Sequence, residues 1–288
     1  MIAAMVCTQL YEDVPALIER ELKFGVYEFK YKELSLLRKL FRLITRGVIF
    51  DLEVLKEFAI EHTGTMTFQE AFDKTGWILN VTVTGYKEHD NSRLLNYLTS
   101  PNVLIWSAVC ASCCVPGLFD PVELLCKNEY GHIVPYSLKN KFIDGSISAD
   151  LPMQRLSELF NVNMFIVSQT NPWVIPFLDI EDVVEIYNKE RKMFNLWKFI
   201  KSFIFGEIKH RFLQIKSLGI FPNIVTRWFN LITQDYRGHV TIFPLPKVMD
   251  YLKLISNPEK SHILESIEHT SRKTYPSMYI SKYYFKYI

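Results

Sequence analysis

Two segments decide the fold of this chain: NYLTSPNVLIWSAVCASCCVPGLFDP at residues 96–121 and KFIDGSISADLP at residues 141–152. The first contains an apolar run that predicts a buried helix closed by Pro116. The second predicts a short strand that runs into the turn Asp144-Gly145. A carboxylate at the end of such a strand lies at the carboxyl edge of a sheet, where the active sites of α/β proteins form.

Helical and strand patterns alternate on both sides of these two segments. The predicted strands are 77–86, 141–143, 164–168 and 239–243, and the predicted helices are 34–46, 52–63, 68–75, 103–114 and 151–160. Asp51 and the pair Thr67 and Glu70 are typical N-terminal caps of two of these helices. Apolar strands separated by helices favour an α/β fold with a mostly parallel sheet covered on both faces.

The turn at Asp144 has two interpretations when it is taken alone. Asp-Gly is a common turn signal, so this dipeptide by itself is weak evidence for catalysis. In the catalytic interpretation Gly145, which has no side chain, lets a substrate or nucleophile approach the carboxylate closely.

Several blocks together resemble the patatin-like phospholipases. These are Ala111-Ser112 followed by VPGLF at 115–119, and DGS at 144–146 followed by Leu151-Pro152. NYLTSPNVLIWSAVCAS, ELFNVNMFIVSQTNP at 158–172, EIKHR at 207–211 and TFQEAFDKTGWIL at 67–79 resemble more closely the patatin-like triacylglycerol lipases of fungi and plants. The resemblance runs from residue 1 to about residue 276.

The resemblance implies a three-layer α/β/α fold and a Ser–Asp dyad. Carried over to this sequence, Asp144 is the general base and Gly145 belongs to its turn. Ala111, Ser112 and Pro116 form a supporting loop, with Ser112 as a packing residue rather than a nucleophile. The implied substrates are neutral lipids or phospholipids, triacylglycerol first, at a lipid-droplet or membrane surface, and no cofactor is implied.

The chain departs from the family pattern at the nucleophile. No G-x-S-x-G elbow and no glycine-rich oxyanion loop occur in the 288 residues. The residues 1–8 resemble the helix that follows the elbow serine, so we expect the fold to be N-terminally incomplete here and the serine to lie upstream of residue 1. The alternative is a catalytically inactive lipid-surface or scaffold protein that has kept the fold.

Composition and charge bear on nucleic-acid binding, on metal binding and on the cellular compartment. The net charge of +2 gives no general case for binding nucleic acid. Cys110, Cys113 and Cys114 crowd into an apolar run, but no second pair of ligands accompanies them, so we interpret them as packing residues and predict no metal site. An odd number of cysteines, five, without a disulfide framework suggests a reducing compartment. The residues 1–8 lack the features of a secretory signal, so we expect an intracellular protein on the cytoplasmic side.

The sequence also suggests two domains. We predict a patatin-like catalytic domain at 1–186 and a helical, aromatic and basic region at 187–288 that carries one late strand. Within that region, NLWKFIKSFIFG at 195–206 has a broad apolar face with basic neighbours. It predicts either a helical cap on the core or a helix that lies on a lipid surface.

Overall fold

The structure of the protein is a computed structural model that describes part of the chain. The described residues are 2–8, 36–87, 91–138, 140–147, 151–171, 200, 203–204, 206–207, 210–211, 214–215, 238–242 and 260–287. The chain divides into two compact units, Met1–Pro152 and Met153–Ile288. The predicted domain boundary between residues 186 and 187 lies outside the described residues.

Helices of the first unit follow the predicted pattern closely. They are α1 (Ile2–Thr8), α2 (Leu36–Arg46), α3 (Leu52–Thr63), α4 (Phe68–Thr75) and α5 (Ile105–Cys113). The Asp51 side chain accepts a hydrogen bond from the backbone N–H of Glu53 and caps α3. Thr67 and Glu70 form the predicted capping box of α4, which ends at Gly76 in the left-handed conformation. These local signals were sufficient because each cap involves residues at most four positions apart.

Strands of the first unit form two antiparallel sheets. Their bounds are β1 (Val81–Gly85), β2 (Ser92–Leu95), β3 (Leu125–Lys127), β4 (Ile133–Pro135) and β5 (Phe142–Asp144). One sheet has the order β2-β1-β5 with β1 antiparallel to both neighbours, and β3 and β4 form a hairpin. The expectation of mostly parallel pairing therefore does not hold among the described strands of this unit.

Helix α5 forms the centre of the core. It packs against α3, β1 and β5, and every side chain from Ile105 to Ala111 is buried. Each large apolar side chain buried there contributes about 1.5–3 kcal/mol by leaving water. The helix begins later than predicted because Val103 and Leu104 are extended. Leu104 donates its backbone N–H to Leu125, and Val103 bridges to Cys126.

The second unit contains α6 (Met153–Phe160), β6 (Ile166–Ser168), β7 (Val240–Ile242) and α7 (Lys260–Tyr287). Strands β6 and β7 pair in parallel, so the described strands include both directions and the predicted α/β class is confirmed. Of the three residues in β6 only Val167 is buried, whereas Ile166 and Ser168 are exposed. The tyrosine-rich end of the chain is helical to Tyr287. Within the described part of the chain, no helix has the length and apolarity to cross a membrane.

Candidate active site

Asp144 is the last residue of β5, at the point where the sheet gives way to a short 3-10 helix, Gly145–Ile147. In the antiparallel register it faces Val83 of β1, which is fully buried. The backbone N–H of Asp144 donates to the carbonyl of Cys114, with 3.1 Å between N and O. The aspartate is therefore held by a central strand on one side and by the end of α5 on the other.

The carboxylate of Asp144 is half-buried and is hydrogen-bonded by Ser146. The backbone N–H of Ser146 donates to Oδ1 at 3.0 Å, and the Ser146 hydroxyl is a second donor. Burial raises the pKa of Asp144 above its usual range, and these two hydrogen bonds act in the opposite direction. A carboxylate with a raised pKa binds a proton more tightly than an exposed aspartate, as a general base requires.

Gly145 has a structural role that differs from the predicted one. A Cβ on this residue would lie 2.6 Å from both the carbonyl carbon and the Cβ of Thr82, and 2.7 Å from the Thr82 carbonyl oxygen. The space beside Gly145 is thus filled by strand β1, not left open for a nucleophile or a substrate. Glycine is needed so that the turn after Asp144 can pass against β1.

Backbone hydrogen bonds connect the predicted supporting loop to Asp144. The carbonyl of Ala111, a fully buried residue, accepts from the N–H of Cys114, whose own carbonyl accepts from Asp144. Pro116 lies in the turn where the N–H of Leu118 donates to Val115 at 2.9 Å. Ser112 lies in the last turn of α5 and is half-buried.

The thiols beside this loop are reduced, and burial disfavours their ionisation. Burial raises the pKa of Cys110 to about 12, and it also raises the pKa of Cys114. Burial raises the pKa of Cys113 too, with a further increase from the Asp144 carboxylate, so Cys113 lies within electrostatic range of the site. Cys114 donates its thiol to the Cys110 carbonyl at 3.0 Å, as a packed core cysteine does.

Sequence reasoning missed four residues that shape this site: Thr82, Cys113, Cys114 and Ser146. Ser146 was within the quoted turn, and its backbone contact to Asp144 is the bond that an Asx turn makes. Thr82 is more than sixty positions from Gly145, and Cys114 acts on Asp144 through its main chain. No local sequence pattern predicts a contact between residues so far apart in the chain or a hydrogen bond made by the main chain.

The described residues of the predicted lipid-surface stretch are helical and exposed. Ile200, Phe203 and Ile204 have exposed fractions of 37%, 65% and 50%, and Arg211 pairs with Glu207 at 2.7 Å. The rest of the stretch, including Trp197, lies outside the described residues.

Comparison with known proteins gives matches over most of the chain. The family model for patatin, described as patatin-like phospholipase, matches residues 2–156. Triacylglycerol lipase SDP1L of Arabidopsis thaliana is 38% identical over 84% of this chain and 31% of its own length. Triacylglycerol lipase 4 of Saccharomyces cerevisiae is 37% identical over 97% of this chain and 32% of its own length.

A further relative, triacylglycerol lipase ptl3 of Schizosaccharomyces pombe, is 35% identical over 86% of this chain and 51% of its own length. The chain thus spans about a third to a half of the length of these curated relatives. The matched residues of the family model, 2–156, include the whole of the first compact unit after residue 1 and therefore Asp144 with its loop.

Proposed function

The chain belongs to the patatin-like phospholipase family, whose fold is a three-layer α/β/α architecture, and from this premise we propose that it is part of a lipid acyl-ester hydrolase. The proposed substrate is triacylglycerol first, with phospholipid or lysophospholipid as further substrates. The names of three similar proteins, all triacylglycerol lipases, support this choice of substrate.

One observation carries the proposal. Asp144 lies at the end of β5 with a raised pKa, and its main chain is hydrogen-bonded to the loop that follows α5. The family resemblance assigns the general base to this position, and the geometry supports that assignment because the carboxylate is fixed and desolvated. A fixed base loses little freedom when it accepts a proton in the transition state.

In the proposed mechanism, Asp144 accepts the hydroxyl proton of a serine as the serine oxygen attacks the ester carbonyl. The tetrahedral intermediate collapses to an acyl-enzyme, and the alcohol leaves with a proton. Water, activated by the same carboxylate, then releases the fatty acid and restores the serine. No G-x-S-x-G elbow occurs in residues 1–288, so the mechanism requires this serine from the complete protein.

We place the active protein at a lipid-droplet or membrane surface on the cytoplasmic side. The exposed apolar side chains of Ile200, Phe203 and Ile204 support contact with lipid, since exposed apolar clusters are typical of such surfaces. Five free cysteines support a reducing compartment.

Replacement of Asp144 by Asn in the complete protein tests the base. Asn cannot accept the serine proton, so release of fatty acid from a triacylglycerol emulsion should fall by about 10²- to 10⁴-fold. Asp73→Asn, the same chemical change on an exposed turn of α4, is the matched control and should leave hydrolysis unchanged.

Two results would contradict the proposal. Normal turnover by Asp144→Asn would remove Asp144 from the mechanism. A complete wild-type protein that binds lipid emulsion but neither releases fatty acid nor reacts with a serine-directed phosphonate would favour the inactive scaffold alternative.

A further inference from the structure

Helix α2 separates apolar from basic residues completely. Its sequence is LLRKLFRLITR, with no acidic residue. At about 100° per residue, all its apolar residues fall within an arc of about 160°. This arc contains Leu36, Leu37, Leu40, Phe41, Leu43 and Ile44. Arg38, Lys39, Arg42 and Arg46 fall on the opposite side, with Lys39 next to one edge of the apolar arc and Thr45 next to the other.

The side chains described for this helix, from residue 41 onward, include exposed residues of its apolar arc. Phe41 and Ile44, on the apolar arc, have exposed fractions of 65% and 76%, and Leu43 is also exposed. Arg42, on the basic side, is half-buried and pairs with Asp51 at 2.5 Å, at the N-terminus of α3. A surface helix normally buries its apolar stripe in the core and exposes its charged side.

Exposure of Phe41, Leu43 and Ile44 to water is unfavourable, so these three side chains require a partner. The basic residues decide which kind of partner fits, because a purely cationic helix without any acidic side chain complements an anionic surface. We propose that α2 docks the chain on an anionic phospholipid surface. Phe41, Leu43 and Ile44 enter the boundary between headgroups and acyl chains, and the exposed Arg46 pairs with lipid phosphates.

The segment after α2 connects this surface to the candidate active site. Phe50 donates its backbone N–H to Leu118 at 2.9 Å, and its ring lies 5.5 Å from that of Phe119. Leu118 and Phe119 belong to the loop that begins at Cys114, whose carbonyl binds the backbone of Asp144. Docking of α2 therefore places lipid beside the loop that supports the proposed base. The choice of a lipid surface as the partner rests on the proposed function.

Sedimentation of the full chain with vesicles tests the proposal without any need for turnover. The vesicles are phosphatidylcholine alone, or phosphatidylcholine mixed with phosphatidylserine. The double variant Phe41→Asp, Ile44→Asp should weaken binding to the mixed vesicles by about tenfold or more. Arg46→Gln should weaken it by about fivefold and leave the weaker binding to phosphatidylcholine unchanged.

Leu138→Asp is the matched control, because Leu138 is 90% exposed and lies outside α2. It should bind both kinds of vesicle as the wild type does. If the α2 variants bind like the wild type, or lose binding only together with their circular dichroism signal, the proposal is wrong. It is also wrong if the wild type is a dimer that the Phe41 and Ile44 changes dissociate, since the stripe is then covered by a second copy.

The failure of this inference can be distinguished from failure of the proposed function. In the complete protein, hydrolysis of a soluble short-chain ester needs the dyad but no lipid surface. Loss of emulsion hydrolysis in the α2 variants with retained hydrolysis of the soluble ester supports docking through α2. A wild type that lacks soluble-ester activity but shows the expected vesicle results contradicts the proposed function alone.

Discussion

At the scale of single residues, the carboxylate of Asp144 lies where burial opposes its negative charge. Ser146 offsets part of that cost through its backbone N–H and its hydroxyl. The net effect is a raised pKa, so the folded chain binds the Asp144 proton more tightly than the unfolded chain does. The destabilisation that this charge causes is absent at low pH. It develops as the pH rises from the ordinary aspartate pKa through the raised pKa of the folded state.

Asp144→Asn should therefore stabilise the chain near neutral pH. Asn has no charge to desolvate, so we expect the melting temperature at pH 7 to rise by about 2–4 °C, the shift that ~1 kcal/mol gives in a protein of this size. Below the aspartate pKa the two proteins should melt alike. Thermal unfolding of both proteins across this pH range is the measurement, and a variant that melts lower than the wild type at pH 7 would contradict this account.

Residue-scale prediction from sequence is confirmed for the helix caps at Asp51 and Thr67, which follow from local chemistry. The assignment of Asp144 as the base, from blocks that resemble a known family, stays a prediction. The close approach of Gly145 to Thr82 was not predicted, because Thr82 comes from another strand. Which atoms fill the space beside a glycine depends on tertiary packing, which the dipeptide Asp-Gly does not encode.

At the scale of elements, burial and strand direction have to be distinguished. The alternation of strands with helices along the sequence suggested a parallel sheet, yet β1 is antiparallel to β2 and β5. Its side chains are mostly buried on both faces because it is the middle strand of its sheet and helix α5 packs on it. Burial of a strand on both faces therefore carries no information on the direction of its neighbours. The three-residue strands β3 and β4 are too short to give a periodic signal.

The junction of β1 with the turn after β5 gives a prediction at this scale. Gly145→Ala would place a methyl group 2.6 Å from main-chain and side-chain atoms of Thr82, so the two elements must move apart. We expect the free energy of unfolding to fall by about 1–3 kcal/mol or more, as in other overpacked sites. Urea unfolding of the wild type and of Gly145→Ala measures this change in the free energy of unfolding.

Gly76→Ala is the comparison for this change. Gly76 has a φ of 70°, and no heavy atom lies within 4 Å of the point that a Cβ would occupy, so alanine there suffers only backbone strain, about 1 kcal/mol. The Gly145 change should cost more than the Gly76 change. Equal losses would show that the turn relaxes freely away from β1.

At the scale of the whole molecule, the reactivity of the thiols measures the packing of only one of the two compact units. All five cysteines (7, 110, 113, 114 and 126) lie within Met1–Pro152, and all are free. Burial raises the pKa of each of them, so few are ionised at mild pH. For Cys110, with a pKa of about 12, the thiolate fraction at pH 8 is about 10⁻⁴.

Labelling with a thiol reagent at pH 8 should therefore be slow in the native chain. The half-buried Cys113 and Cys126 should react first, and the buried Cys7, Cys110 and Cys114 should react only after unfolding in guanidinium. The number of thiols labelled with time, native against unfolded, is the measurement. Rapid reaction of all five in the native chain would show that the first unit is not packed as described.

The close approach of Gly145 to Thr82 also limits how this sequence can diverge. Two of the three nearest atoms at Thr82 are its carbonyl carbon and oxygen, which every amino acid places there. No replacement at position 82 can therefore make room for a side chain at position 145, and a mutation away from glycine has no compensating partner across the strand. Position 82 can therefore vary as far as its own burial allows, whereas a side chain at position 145 requires the backbone of β1 to move.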